Sequence, residues 1–244
     1  MKIIGCIPSR YASTRLPGKP LCDIAGKPMI LHVVERAKQA TRLSDVVVLT
    51  DDERIFNTVT TAGHHAAMTS TSCASGTDRI AEYMEQDPSA DIFVNIQGDE
   101  VLLDPAHVDR LIEHFTSKPQ CQMGTLAHWV SDPEILRNPT TAKIVTDVND
   151  NAMYFSRNCI PIKQNGALPE KALVQIGVYI YTWDTLKHLQ TLHQSRLETT
   201  EHLEQLRALE NGIQIDITVV DHYESLSVDT EEDLQRARAL FNHV

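Results

Sequence analysis

The stretch IPSRYASTRLPGKPL, residues 7–21, sets Arg10, Arg15 and Lys19 in a loop directly after a short apolar run. A guanidinium offers a planar fork to phosphate oxygens, and an ammonium offers a compact point charge. Gly18 allows backbone N–H groups to turn toward the same anion. These residue types suit the grip on a phosphate chain. The other reading is a solvated loop whose cations offset an acidic excess elsewhere. Neither GxxxxGK[ST] nor GxGxxG occurs, so the loop is not one of the familiar nucleotide cradles. No Ser-His-Asp or Cys-His set assembles from spacing, which leaves covalent catalysis unsupported. His64 and His65 follow Gly63 with no Cys or carboxylate at metal spacing, so no zinc site is expected. His188, His193 and His202 read as polar surface, and Cys6 reads as an inert core thiol.

The whole chain narrows the choice. Its 244 residues carry 22 Lys and Arg against 33 Asp and Glu, a net charge of −11, which argues against nucleic acid and anionic membranes as partners. Five scattered cysteines without a CxxC pair fit a reduced, cytoplasmic protein better than a disulfide framework. The N-terminus has one Lys and an apolar run ending at Pro8, unlike a secretory signal. No run approaches the ~20 apolar residues of a membrane span.

The elements that must hold the loop alternate. Residues 3–7, 46–49 and 92–96 read as buried strands, and residues 29–39, 53–62, 77–84 and 105–115 as helices. Asp104 is the expected cap of the last of these, with Pro105 at its first position. Strands alternating with helices predict βαβ units and a mostly parallel sheet, with ligands at the carboxyl ends of strands. From about residue 122 the rhythm changes: MGTLAHWV, AKIVTDV, NAMYFS and IGVYIYT read as strands, with a hairpin turn at Asn149–Asn151. Residues 183–192 and 200–210 read as helices, 214–220 as a strand, and Thr230-Glu-Glu-Asp233 as a capping box opening the last helix. The expectation is an α/β, Rossmann-like (GT-A-type) core, residues 1–121 and 212–244, with an inserted antiparallel region over 122–211.

Along nearly its whole length the chain resembles the 3-deoxy-manno-octulosonate (Kdo) cytidylyltransferases. The resemblance rests on the opening loop and on GKPMI (26–30), TDDERI (50–55), ASGTDRI (74–80), VNIQGDE (94–100), YFSR (154–157), LEQLRALE (203–210) and VDTEEDL (228–234). It implies a nucleotidyltransferase that moves CMP from CTP to an acidic sugar and releases pyrophosphate, in lipopolysaccharide biosynthesis. It further implies Mg²⁺ on Asp99 and Asp229, triphosphate contacts from Arg10 and Lys19, and a homodimer formed through the inserted region. Arg15 belongs to the same loop as a phosphate contact or as its shaper. Ser75 and Gly76 match a nucleotide-contacting turn, and Gln97 a polar neighbour of nucleotide or acceptor. Read locally, Ser75-Gly76-Thr77 is equally a helix entry capped by Thr77, Asp99 a turn residue after Gly98, and Asp229 a helix cap. Two aspartates on separate elements suit Mg²⁺, which takes few protein carboxylates.

The acceptor side departs from the pattern. Where the family reads Arg or Lys and then His, this chain has Val174 and Gln175, and Gln cannot become cationic. Val101 stands where proline is usual, and Ser9 where alanine is. Arg157, Glu204 and Gln205 are retained, and Arg157 is the expected partner of the acceptor carboxylate. Lys143 lies in a matched stretch without an assigned role. The acceptor is thus Kdo or a Kdo-like ulosonic acid, or else another acidic compound such as a modified octulosonate or a phosphonate-type acid. The rival classes are a GT-A glycosyltransferase, which need not grip a free triphosphate, and a non-catalytic nucleotide-binding regulator.

Overall fold

Ile3, Ile4, Cys6 and Ile7 are all buried, as a strand covered on both faces requires. The computed structural model describes residues 1–13, 15–224 and 226–242, so Thr14 of the cationic loop lies outside the described residues. The chain forms two compact units, Met1–Asp109 with Glu224–Val244, and Arg110–Tyr223.

In the first unit β1 (Ile3–Pro8) is followed by the cationic loop, a 3₁₀ turn at Lys19–Leu21, and a small ribbon of β2 (Asp23–Ile24) and β3 (Lys27–Pro28). Then come α1 (Met29–Ala37), β4 (Asp45–Thr50), α2 (Glu53–Thr61), β5 (His65–Met68), α3 (Gly76–Gln86), β6 (Ile92–Asn95) and the start of α4 (Pro105–Ser117). The C-terminal helix, Glu231–Phe241, completes the unit. β1 pairs in parallel with β4 on one side and β6 on the other, and β5 adds to β4. The chain moves outward from β1 to β5 and then returns to β6, so the strand order switches between β1 and β6. That switch is where an open parallel sheet leaves a crevice beyond its carboxyl ends. The loops after β1 and β6 carry Lys19 and Asp99.

Side chains set several of the helix starts, each cap contributing about 1 kcal/mol. Asp52 accepts from Arg54 N at 2.9 Å to cap α2, and Asp104 accepts from Ala106 N at 2.9 Å, with Pro105 opening α4. Thr230 and Asp233 form the expected reciprocal box at the C-terminal helix. α3 is capped by Ser75, not Thr77: Ser75 Oγ accepts from Asp78 N at 3.2 Å, and Asp78 accepts from Ser75 N at 2.9 Å.

The second unit contains β7 (Met123–Val130), α5 (Pro133–Arg137), β8 (Lys143–Thr146), β9 (Ala152–Ser156), β10 (Ala172–Thr182), α6 (Trp183–Thr191), α7 (Arg196–Glu201), α8 (Gln205–Glu210) and β11 (Ile215–Val220). β7 lies between antiparallel β10 and parallel β11, and β8 is antiparallel to both β10 and β9. The β8–β9 turn falls at the expected asparagines: Asp147 accepts from Asn149 N at 2.8 Å and Asn151 N at 2.9 Å, and Asp150 has φ 64°.

Further features differ from the sequence reading. The stretches 110–121 and 212–223 join the second unit instead of the first. β11 pairs with β7, and the nearly buried Asp216 on β11 binds Lys118 Nζ at 2.7 Å and His114 Nε2 from the second half of α4. The single helix expected over 200–210 is two, because His202 adopts a left-handed conformation at φ 52° and ends α7. β5 is an addition, four residues without a β-branched side chain, and His65 at its start binds Asp45 Oδ2 at 2.8 Å. Among the described residues, no helix is long and apolar enough to cross a membrane.

Candidate functional site

The cationic loop is closed by its own backbone. Tyr11 O accepts from Ser13 N at 3.0 Å and from Gly18 N at 3.1 Å. Gly18 has φ 68°, and a Cβ there would sit 3.0 Å from the Tyr11 ring, so the closure needs glycine. Arg54, forked onto Asp52, stacks 3.4 Å over the other partner of this contact, the Tyr11 ring, and ties the loop to the start of α2.

Lys19 is the centre of the site. Its Nζ lies 2.6 Å from Asp99 Oδ2 and 3.0 Å from Asp229 Oδ1, and Arg15 Nη2 lies 3.0 Å from the same Asp229 oxygen. Backbone pairing explains how residues so far apart in sequence meet: Glu100 bridges Ser227, and Val228 N donates to Asp99 O at 3.1 Å. Gly98 lets the loop after β6 lie against the end of β1, since a Cβ there would press within 3.1 Å of Pro8 O. Thr230, not Asp229, caps the C-terminal helix, which frees the Asp229 carboxylate for cations. Burial alone would lower the Lys19 pKa, but the Asp99 and Asp229 carboxylates outweigh it and hold the ammonium above the ordinary lysine range.

Two hard carboxylate oxygens therefore converge on one cation, with Asp229 still a third exposed. That donor set fits Mg²⁺, which takes one or two carboxylates and fills its shell with water and phosphate oxygens. Among the described residues no third carboxylate, His or Cys joins them. Around this centre Arg10 is exposed and has no ion pair among the described residues. Gly76 is the first residue of α3, Ser75 is its cap, and Gln97 is half-buried with Nε2 3.5 Å from Asn95 Oδ1. Val101, in the place of a proline, is a fully buried core residue, and burial pushes the Cys6 thiol well up, consistent with an inert side chain.

The second unit holds the residues expected on the acceptor side. Gln205 Nε2 donates to Gln175 Oε1 at 2.7 Å, and Gln175 Nε2 donates to Thr125 Oγ1 at 3.3 Å. Thr125 in turn donates to the carbonyls of Ile176 and Val178, at 3.2 and 2.8 Å, across a bulge where β10 slips against β7. Tyr179 lies beside Gln175, and burial raises its phenol pKa well above the usual range, with Glu204 adding to the rise. Gln175 and Gln205 are thus bonded to each other, and Glu204 lies close enough to Tyr179 to act on its charge. Thr125 and Tyr179, to which no motif points, belong to the same polar cluster.

Arg157 and Lys143 are placed differently. Arg157 spends four of its five N–H groups on backbone carbonyls: Nε on Glu201 O at 2.7 Å, Nη1 on Pro139 O and Thr140 O, and Nη2 on His202 O at 2.9 Å. The expectation of a free guanidinium facing a carboxylate does not match this geometry, because the broken helix at His202 supplies carbonyls that need donors. Lys143 is fully buried, with Nζ on the carbonyls of Asn138, Thr141 and Arg157 at 2.6, 2.9 and 2.9 Å. Burial lowers its pKa from the ordinary value. Both cations brace the segment around 138–141.

Comparison with known proteins identifies the family. A family model described as cytidylyltransferase matches residues 4–216. A 3-deoxy-manno-octulosonate cytidylyltransferase of Solibacter usitatus is 45% identical, covering 98% of this chain and 94% of its own length. One of Trichlorobacter lovleyi is 44% identical, covering 98% of each. A solved CMP:2-keto-3-deoxy-manno-octonic acid synthetase in complex with CTP is 40% identical with a TM-score of 0.94, covering 100% of this chain and 99% of that one. A putative glucose-1-phosphate thymidylyltransferase from Bacillus anthracis, 20% identical with a TM-score of 0.68 over 99% and 96% of the two chains, shares the fold. With its carboxylate-bound lysine at the switch point of a mixed α/β fold, the chain is a nucleotidyltransferase enzyme and belongs to the 3-deoxy-manno-octulosonate cytidylyltransferase family.

Proposed function

We propose that the protein transfers CMP from CTP to the anomeric hydroxyl of Kdo, or of a closely related ulosonic acid, with release of pyrophosphate. The observation that carries this reading is the meeting of Lys19, Arg15, Asp99 and Asp229 at the carboxyl ends of β1 and β6. A triphosphate needs cations, and attack at its α-phosphorus needs charge neutralisation and alignment more than a covalent intermediate. Lys19, Arg15 and Arg10 supply cations from one loop. Asp99 and Asp229 would hold Mg²⁺, which when bound neutralises developing charge on phosphate oxygens. The Ser75–Gly76 turn and Gln97 suit nucleotide contacts. The acceptor hydroxyl attacks directly as the pyrophosphate leaves. The family comparison supports the acceptor class, and the amide cluster of Gln175 and Gln205 supplies neutral donors for its hydroxyls.

A second acceptor reading rests on Gln175. A neutral amide there favours an acid related to Kdo but altered where Gln175 reaches. Exposed Trp129, Ile135, Met153 and Ile162 in the second unit suit a homodimer, and the composition suits the cytoplasm. The test is Mg²⁺-dependent pyrophosphate release from CTP with a panel of ulosonic acids. Kdo or a relative should give turnover. No release with any member of the panel would end this reading.

A further inference from the structure

The same four side chains carry a second consequence. Two carboxylates and two cations make a locally neutral set, and Lys19 Nζ occupies the point on which both carboxylates converge. Mg²⁺ sheds water reluctantly and gains little field from a neutral set. A triphosphate changes that balance, because its oxygens offer Lys19 and Arg15 new anionic partners and leave two unpaired carboxylates behind. We infer that Lys19, assisted by Arg15, is a resident counter-ion that keeps free divalent metal off Asp99 and Asp229 until a nucleotide triphosphate draws the cations away. The inference rests on the assignment of these aspartates as the metal site. It makes metal uptake dependent on nucleotide through displacement of a protein cation, in addition to any direct contact between metal and phosphate. Arg15 is the weaker element, since its side chain is 63% exposed against 16% for Lys19.

The test uses Mn²⁺ as the probe, titrated into the nucleotide-free full chain while electron paramagnetic resonance reads the free ion. Lys19→Met should bind Mn²⁺ about 5- to 150-fold tighter than wild type, the usual span of a coupling between two ligands. Lys19→Gln should do the same if methionine does not fold, and Lys19→Arg, which keeps the charge, should track wild type. Asp99→Asn in the Lys19→Met background should abolish the gain. Adding α,β-methylene CTP should raise Mn²⁺ affinity more in wild type than in Lys19→Met. If neither Lys19→Met nor Lys19→Gln binds Mn²⁺ tighter than wild type, the counter-ion role is wrong. If wild type with the CTP analogue takes up no Mn²⁺ that Asp99→Asn removes, the metal assignment itself fails, which is a separate result.

Discussion

Lys19 in the first unit and Lys143 in the second are both drawn well out of water, yet they are held in opposite ways. Lys19 is paired with two carboxylates, whereas Lys143 is caged by three backbone carbonyls. A cation paired with charges can trade them for the charges of a ligand. A cation caged by carbonyls is fixed, because its departure strands buried acceptors. Both lysines sit in stretches that resemble one family, so motif membership alone does not separate site from scaffold. The partners do.

The comparison is most sharply tested at the carboxylates. Asp99→Asn or Asp229→Asn should cut turnover by orders of magnitude while the melting temperature stays near wild type, since on the proposed reading each removes a charged metal ligand. Near-normal rates at limiting Mg²⁺ would break the functional half of the contrast. Lys19→Ala should then lower kcat/KM for CTP by roughly tenfold to a hundredfold, the loss of one or two charge-assisted contacts. A change confined to the acceptor KM would move Lys19 out of the nucleotide site.

Lys143→Met tests the other half. It should destabilise the fold by about 3 kcal/mol, three carbonyls losing their donor at about 1 kcal/mol each, with KM for CTP unchanged in protein that folds. The pH dependence has a definite sign. Burial lowers the folded-state pKa of Lys143, so between the folded and unfolded values the unfolded chain binds the extra proton. Stability contributed by this group therefore rises with pH toward ~10.4, the ordinary lysine value. Urea melts at neutral and mildly alkaline pH should show wild type gaining on Lys143→Met.

Arg157→Ala should act like Lys143→Met and cost about 2 kcal/mol of stability. A large rise in acceptor KM with unchanged stability would restore it to the acceptor site. The smallest effect belongs to Gln175. Gln175→Leu removes its bonds to Gln205 and Thr125 and should raise the acceptor KM roughly tenfold, leaving CTP untouched. Gln175→His should improve turnover of Kdo and impair that of an altered acceptor. If it changes neither, the altered-acceptor reading is wrong.

The first unit was largely legible because its signals are local. Buried β-branched runs mark β1, β4 and β6, and short polar side chains mark the helix starts. The clustering of cations in the loop after β1 could be read from residue types alone. That Asp99 and Asp229 meet was not local information: it depends on Glu100 pairing with Ser227 and on Val228 N donating to Asp99 O. The placing of Arg157 depended on a left-handed His202, a conformation that a helical pattern over 200–210 conceals. Likewise residues 214–220 read as a strand from their own sequence, but the pairing of β11 with β7 is not written there.

No motif points to Tyr179, for a reason that reaches beyond this site. Across the β10 slip, Ile176 faces Leu126 and Tyr179 faces Thr125, so three steps along β10 answer one step along β7. The surplus is an even number of residues. Side chains alternate with a period of two, so an even surplus restores the face that an odd one would exchange. Gln175 faces Ala127 and Tyr179 faces Thr125, next-but-one neighbours on β7, so four positions of sequence are folded into the reach of two. Deleting only one of Gly177 and Val178 should turn Tyr179 away from the amides and reverse every side chain beyond it, whereas deleting both should preserve each facing. The slip thus acts as a parity-preserving insertion, which lets the strand lengthen without reassigning which side of it is chemistry and which is core.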